Sequence, residues 1–151
     1  MQDLSRRKAI FGFAVLAAAP VLMGRSQAMA AGEVPVAIKG YDPVAYFKLG
    51  KPVRGQPDIA YEWDERRYLF SRAQNRDLFK ADPLRYAPQF PDFCAMSLTR
   101  GELVEANPQN WLIADGKLYM FGKSAGPALF KENLAEHTER ANQNRGKLPK
   151  R

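Results

Sequence analysis

Cysteine is nearly missing from this chain: Cys94 is the only one in 151 residues, and His137 is the only histidine. A single thiol excludes an intrachain disulfide, a Cys-x-x-Cys redox pair and a self-contained thiolate zinc site. A lone imidazole excludes a His-based metal cluster, and it leaves any Cys–His pairing to the fold. Glycine-rich phosphate loops, a nucleophile elbow and paired catalytic carboxylates are absent as well, so no common enzyme signature is present. One long apolar run occurs, Ala9 to Met23. Its roughly 15 residues fall short of the ~20 that span a bilayer as a helix.

What surrounds that run is the layout of an export signal. Arg6-Arg7-Lys8 precede it, Pro20 breaks it, and Ala28-Met29-Ala30 supply the small residues of a cleavage site. Cleavage is expected after Ala30. Ser5-Arg6-Arg7 also resembles the start of a twin-arginine signal, with Ala9 where that pattern has Phe. No cysteine lies near the cleavage site to carry a lipid, so the mature chain is expected in the periplasm without stable membrane insertion. The leader holds Arg6, Arg7, Lys8 and Arg25 against Asp3, so its removal takes the formal charge from +7 to +4. Arg145, Lys147, Lys150 and Arg151 cluster in a basic tail, which composition predicts to be disordered over residues 145–151. No basic patch is interleaved with aromatics in the folded part, which argues against a nucleic-acid partner.

The remaining residues 31–144 read as one small α+β domain of two β-hairpins, short helices and a C-terminal helix. Asp42 is placed to cap a helix begun by Pro43 and stopped by Gly50. Ile59–Trp63 alternates with period two, Asp64-Glu65-Arg66 turns the chain, and residues 67–70 return as a second strand. Ser71 and Gln74 fit a capping box for the next helix. Asp82-Pro83 repeats the Asp-Pro start. Asp115-Gly116, the preferred pair of a type I′ turn, joins two further strands. One helix is expected from about residue 128 to 142.

Gly40-Tyr41-Asp42-Pro43-Val44-Ala45-Tyr46-Phe47, Tyr68-Leu69-Phe70-Ser71, Asn75-Arg76-Asp77-Leu78-Phe79 and Ala81-Asp82-Pro83-Leu84-Arg85-Tyr86-Ala87-Pro88-Gln89 together resemble the YHS domain. Phe93-Cys94-Ala95 and the later Asn107-Pro108, Trp111 and Asp115-Gly116-Lys117-Leu118-Tyr119 extend the likeness to exported bacterial YHS proteins of about this length. The resemblance covers about residues 36–142. It implies that metal-binding YHS domains carry thiols where this chain has Ala45, Ser71 and Asn75, so their soft-metal site is not expected here. It also implies redox chemistry at Cys94, because some exported relatives have selenocysteine at that position.

Cys94 is therefore the candidate redox thiol, against the plainer reading of a buried, inert sulfur between Phe93 and Met96. Asp92 puts a carboxylate two residues before it, which is expected to disfavour the thiolate. Tyr41 and Tyr86 adjoin the Asp-Pro elements and join Asp92 and Cys94 as binding candidates. The other tyrosines and tryptophans read as core. His137 reads as a solvated helix residue. The leading functional expectation is a periplasmic binding or thiol-redox accessory module, not a conventional enzyme, with a partner protein or small thiol supplying the second sulfur. The alternatives are a copper or zinc handler using Cys94 with non-thiol ligands, and a purely structural or partner-binding domain. No cofactor is required by the sequence.

Overall fold

Residues 33–148 are described in the structure, a computed structural model, and the leader expected over residues 1–30 lies outside them. The domain is α+β, with two antiparallel hairpins, each a two-stranded sheet, and short helices between and after them. Asp42 opens α1 (Pro43–Leu49) as its sequence suggests: Oδ1 accepts from the Val44 and Ala45 amides at 2.9 and 3.3 Å. Gly50 closes the helix at φ 61°, where a residue without Cβ pays no steric cost.

Strand β1 (Gln56–Trp63) pairs with β2 (Arg66–Phe70), with a register shift between Gln56 and Ala60. The turn is two residues long. Asp64 and Glu65 both take positive φ, 49° and 58°, as a type I′ turn requires, so Arg66 already belongs to the strand. Helix α2 (Ala73–Ala81) starts from Arg72 without a side-chain cap. The Ser71–Gln74 box does not form, because the Ser71 hydroxyl donates at 2.7 Å to Asp42 Oδ2. Helix α3 (Pro83–Tyr86) is capped by Asp82, whose Oδ1 accepts from the Arg85 amide at 3.2 Å.

A single turn of helix, α4 (Ala95–Leu98), leads to the second hairpin. There β3 (Asn107–Ala114) and β4 (Lys117–Phe121) meet at Asp115-Gly116, with φ 49° and 70°. The single helix expected over residues 128–142 is two, α5 (Gly126–Glu132) and α6 (Leu134–Gln143), separated by Asn133 at φ −137° and ψ 55°. At this break His137 Nδ1 donates to the Phe130 carbonyl at 3.0 Å, and its ring lies 5.5 Å from that of Phe130. His137 is half-buried there instead of solvated. The basic tail also departs from expectation. Arg145–Lys147 form a 3₁₀ turn, with Arg145 donating to the Gln89 carbonyl at 2.9 Å and covering the Phe90 ring at 4.9 Å. Lys150 and Arg151 lie outside the described residues.

Strand β4 divides the core by its period of two. Leu118 and Met120 join Tyr46, Tyr68, Phe70 and Phe79 in one cluster, while Tyr119 and Phe121 join Phe90, Cys94, Leu98 and Phe130 in another. Phe79 is the hub of the first, with the rings of Tyr68, Phe70, Trp63 and Tyr61 at 4.6, 5.3, 6.0 and 6.3 Å.

Tyr68 is fully buried, and its hydroxyl is the one buried side-chain polar atom without a partner among the described residues. Burial, then the charge of Asp92, raises its pKa above that of an ordinary tyrosine. Tyr68→Phe is therefore expected to be neutral at pH 7, or stabilising by up to about 1 kcal/mol, because it removes an unsatisfied group. A folded pKa above the unfolded value means that stability is complete below pH ~10 and falls as pH rises further. Urea melts at pH 7 and about pH 11 check both points. The variant is expected to flatten the alkaline loss, and a cost well above 1 kcal/mol at pH 7 would show that the hydroxyl is partnered.

Candidate functional site

The segment carrying Cys94 is tied down by its backbone. The Cys94 amide donates to the Val104 carbonyl at 2.7 Å, the Ala106 amide donates to the Asp92 carbonyl at 2.8 Å, and Phe93 bridges Glu105 between them. This short ladder contributes walls to two cavities. The larger, about 310 Å³, is lined by Cys94, Met96, Val104, Gly122 and Leu129, with Arg100, Glu102 and Lys123 as its charged members. The smaller, about 180 Å³, takes in Asp92, Glu105 and Ala106.

Cys94 is a free thiol with 5% of its surface exposed, so the larger cavity is its route to solvent. Gly122 keeps space beside it. A Cβ there would stand 3.0 Å from the Glu105 carbonyl oxygen, 3.3 Å from Val104 Cγ1 and 3.8 Å from Cys94 Cβ. Arg100 grips Glu102 through Nη2 at 2.8 Å and Nε at 3.3 Å. That hydrogen bond first, and the Glu102 charge next, raise the Arg100 pKa, with a smaller contribution from Cys94; the same contacts lower that of Glu102. Both side chains are exposed, so the pair is well screened and weak. Arg100 and Cys94 line the same cavity.

Asp92 does not flank the thiol as its sequence position suggests. Its Oδ1 accepts from the Ile38 amide at 2.8 Å and its Oδ2 from Arg66 Nε at 2.9 Å, and the side chain faces the smaller cavity. The cause is local. Asp92 has φ 64°, and a left-handed residue breaks the strand alternation that puts positions i and i+2 on one face. The expected damping of Cys94 by Asp92 loses its geometric basis.

The other candidates are dispersed. Tyr86 is core, 5% exposed and edge-on to Phe47 at 5.3 Å. Tyr41 is half-buried beneath the Arg54 guanidinium at 4.6 Å, and its hydroxyl accepts from Gln109 Nε2 at 3.2 Å. Neither lines the two cavities above, nor does His137.

Ala45, Ser71 and Asn75, by contrast, converge. Asp42 is 0% exposed. Its Oδ1 takes the Val44 and Ala45 amides, while Oδ2 accepts from the Ser71 amide at 2.8 Å, the Ser71 hydroxyl at 2.7 Å and Asn75 Nδ2 at 2.7 Å. The groups around this carboxylate are hydrogen-bond donors, and none is a sulfur, so the cluster does not suit a soft metal. No group of three or more His, Cys, Asp or Glu is placed to hold a metal ion among the described residues. Sequence reasoning found the cap and missed the cluster, because Ser71 and Asn75 reach Asp42 across 29 and 33 positions. No family model, curated protein or solved structure matches the chain.

Proposed function

We propose that this is a periplasmic accessory domain of YHS type whose working part is the Cys94 cavity, where the thiol exchanges with a small disulfide. The order of basic, apolar and small residues over 1–30 supports export, and the motifs from Gly40 to Tyr119 support the domain type. The observation that carries the reading is a free thiol that is nearly all buried yet forms part of a 310 Å³ cavity. That volume is near the lower end of ligand pockets and favours a small thiol compound over a protein partner. Glu102 offsets Arg100, and Lys123 leaves one positive charge on the lining, which favours an anionic one. In the exchange the Cys94 thiolate attacks one sulfur of the incoming disulfide, the mixed disulfide forms, and the other half leaves as a thiolate. With no second cysteine in the chain, an external thiol must resolve the adduct.

A size-graded labelling experiment tests this. A small methanethiosulfonate is expected to modify about one thiol per native molecule, and a bulky maleimide to do so only on unfolding. Native protein that resists both reagents would reduce Cys94 to packing. Metal analysis of fresh material addresses a second reading, because Met96 lines the same cavity as Cys94 and a thioether beside a thiolate suits copper(I). Stoichiometric copper that blocks labelling would select it.

A further inference from the structure

The smaller cavity lies where the backbone of this domain is most strained. Ile38, Lys39 and Asp92 line it at φ 52°, 50° and 64°, and for a β-branched residue such as Ile38 a positive φ is a true outlier. Strain of this kind persists only where neighbouring groups hold it, and it gathers at ligand sites. Here Asp92 is the holder, through the Ile38 amide and Arg66. A carboxylate offers about four acceptor positions, so two remain, and 26% of the Asp92 side chain is exposed. Lys39 and Glu105 pair at 3.2 Å with 55% and 78% of their side chains exposed, a contact that water screens and a ligand can replace. The remaining wall is apolar, with Ala106, Pro108 and Met120.

Size and charge together restrict the occupant. A volume of about 180 Å³ is close to the ~150 Å³ void that takes benzene, which limits a ligand to roughly six to eight heavy atoms. A simple amine would separate Glu105 from Lys39 and leave the lysine unpaired, and a simple carboxylate would face Asp92. We propose that this cavity binds a small zwitterion of the α-amino acid class. The ammonium donates to Asp92 and Glu105, the carboxylate accepts from Lys39, and a short aliphatic side chain meets the apolar wall. The site is independent of Cys94.

Amide chemical shifts of the whole protein, titrated with L-valine to about 10 mM, test the assignment, with isobutylamine and isobutyrate as half-ligands. Valine is expected to shift the Ile38, Lys39, Asp92 and Ala106 amides saturably, and each half-ligand to bind at least about tenfold more weakly. Lys39→Met and Glu105→Gln alter exposed side chains, so they are expected to keep the thermal melt and weaken valine about tenfold each. Cys94→Ala is expected to bind valine normally. No saturable shift with valine, alanine or serine would overturn the proposal. Half-ligands binding as well as valine, or variants binding as well as the parent, would overturn it too.

Discussion

Asp42→Ala is expected to lower the stability of this domain by about 3–5 kcal/mol, read as a fall in the urea midpoint with an unchanged m-value. The substitution removes a fully buried carboxylate that accepts five hydrogen bonds. It leaves the Val44, Ala45 and Ser71 amides, the Ser71 hydroxyl and Asn75 Nδ2 without that acceptor. Each buried orphan costs about 1–3 kcal/mol, and relaxation or water entry recovers part of the sum. Asp42→Asn keeps the volume but turns an NH₂ group toward a set of donors, so about 2–3 kcal/mol is expected for it. Adding Asn75→Asp to Asp42→Asn restores one donor–acceptor pair with reversed polarity. It is expected to recover at least about 1 kcal/mol, which a double-mutant cycle measures. A loss below about 1 kcal/mol for Asp42→Ala would show that the corner between α1, β2 and α2 is held by packing alone.

The same corner shows what the sequence could and could not reveal. Signals confined to a few residues were legible: Asp42-Pro43 and Gly50 bound α1, and Asp115-Gly116 makes the second hairpin as expected. Ser71 and Gln74 form an equally good local signal that fails. A carboxylate 29 positions away competes for the Ser71 hydroxyl and wins. Asn133 breaks the last helix although nothing in its neighbourhood forbids a helix, and the break places His137 against Phe130. At Ser71 a tertiary contact overrides local preference.

The candidate site was legible only as a list. The sequence allows Cys94 to be buried or reactive, and the structure shows a buried residue that forms part of a cavity. That cavity draws on residues 94–104 and 122–129, which no spacing rule connects. Asp92 lies two residues before Cys94 but faces another cavity, because one positive φ redirects it. Nearness in sequence was the wrong guide to what surrounds the thiol, and Arg100, six residues on, is a charged residue that lines its cavity.

Phe79→Ala is expected to cost about 3–5 kcal/mol, since it empties the centre of the aromatic cluster formed by Tyr61, Trp63, Tyr68 and Phe70. Phe79→Leu keeps most of the volume and is expected to cost less. Cys94 belongs to the other cluster, but β4 packs Leu118 and Met120 on one and Tyr119 and Phe121 on the other, so the two lose structure together. A bulky maleimide reaches Cys94 only through global opening, and its labelling rate then follows the unfolded population. A loss of about 4 kcal/mol therefore accelerates the maleimide about a thousandfold. A small methanethiosulfonate enters through the native cavity, and its rate is expected to be nearly unchanged in the same variant. Equal acceleration of both reagents would mean that unfolding is the only way to the sulfur, and the thiol-exchange proposal would fall with it. A strong response of the large reagent beside a flat response of the small one is what a buried thiol with its own entrance requires.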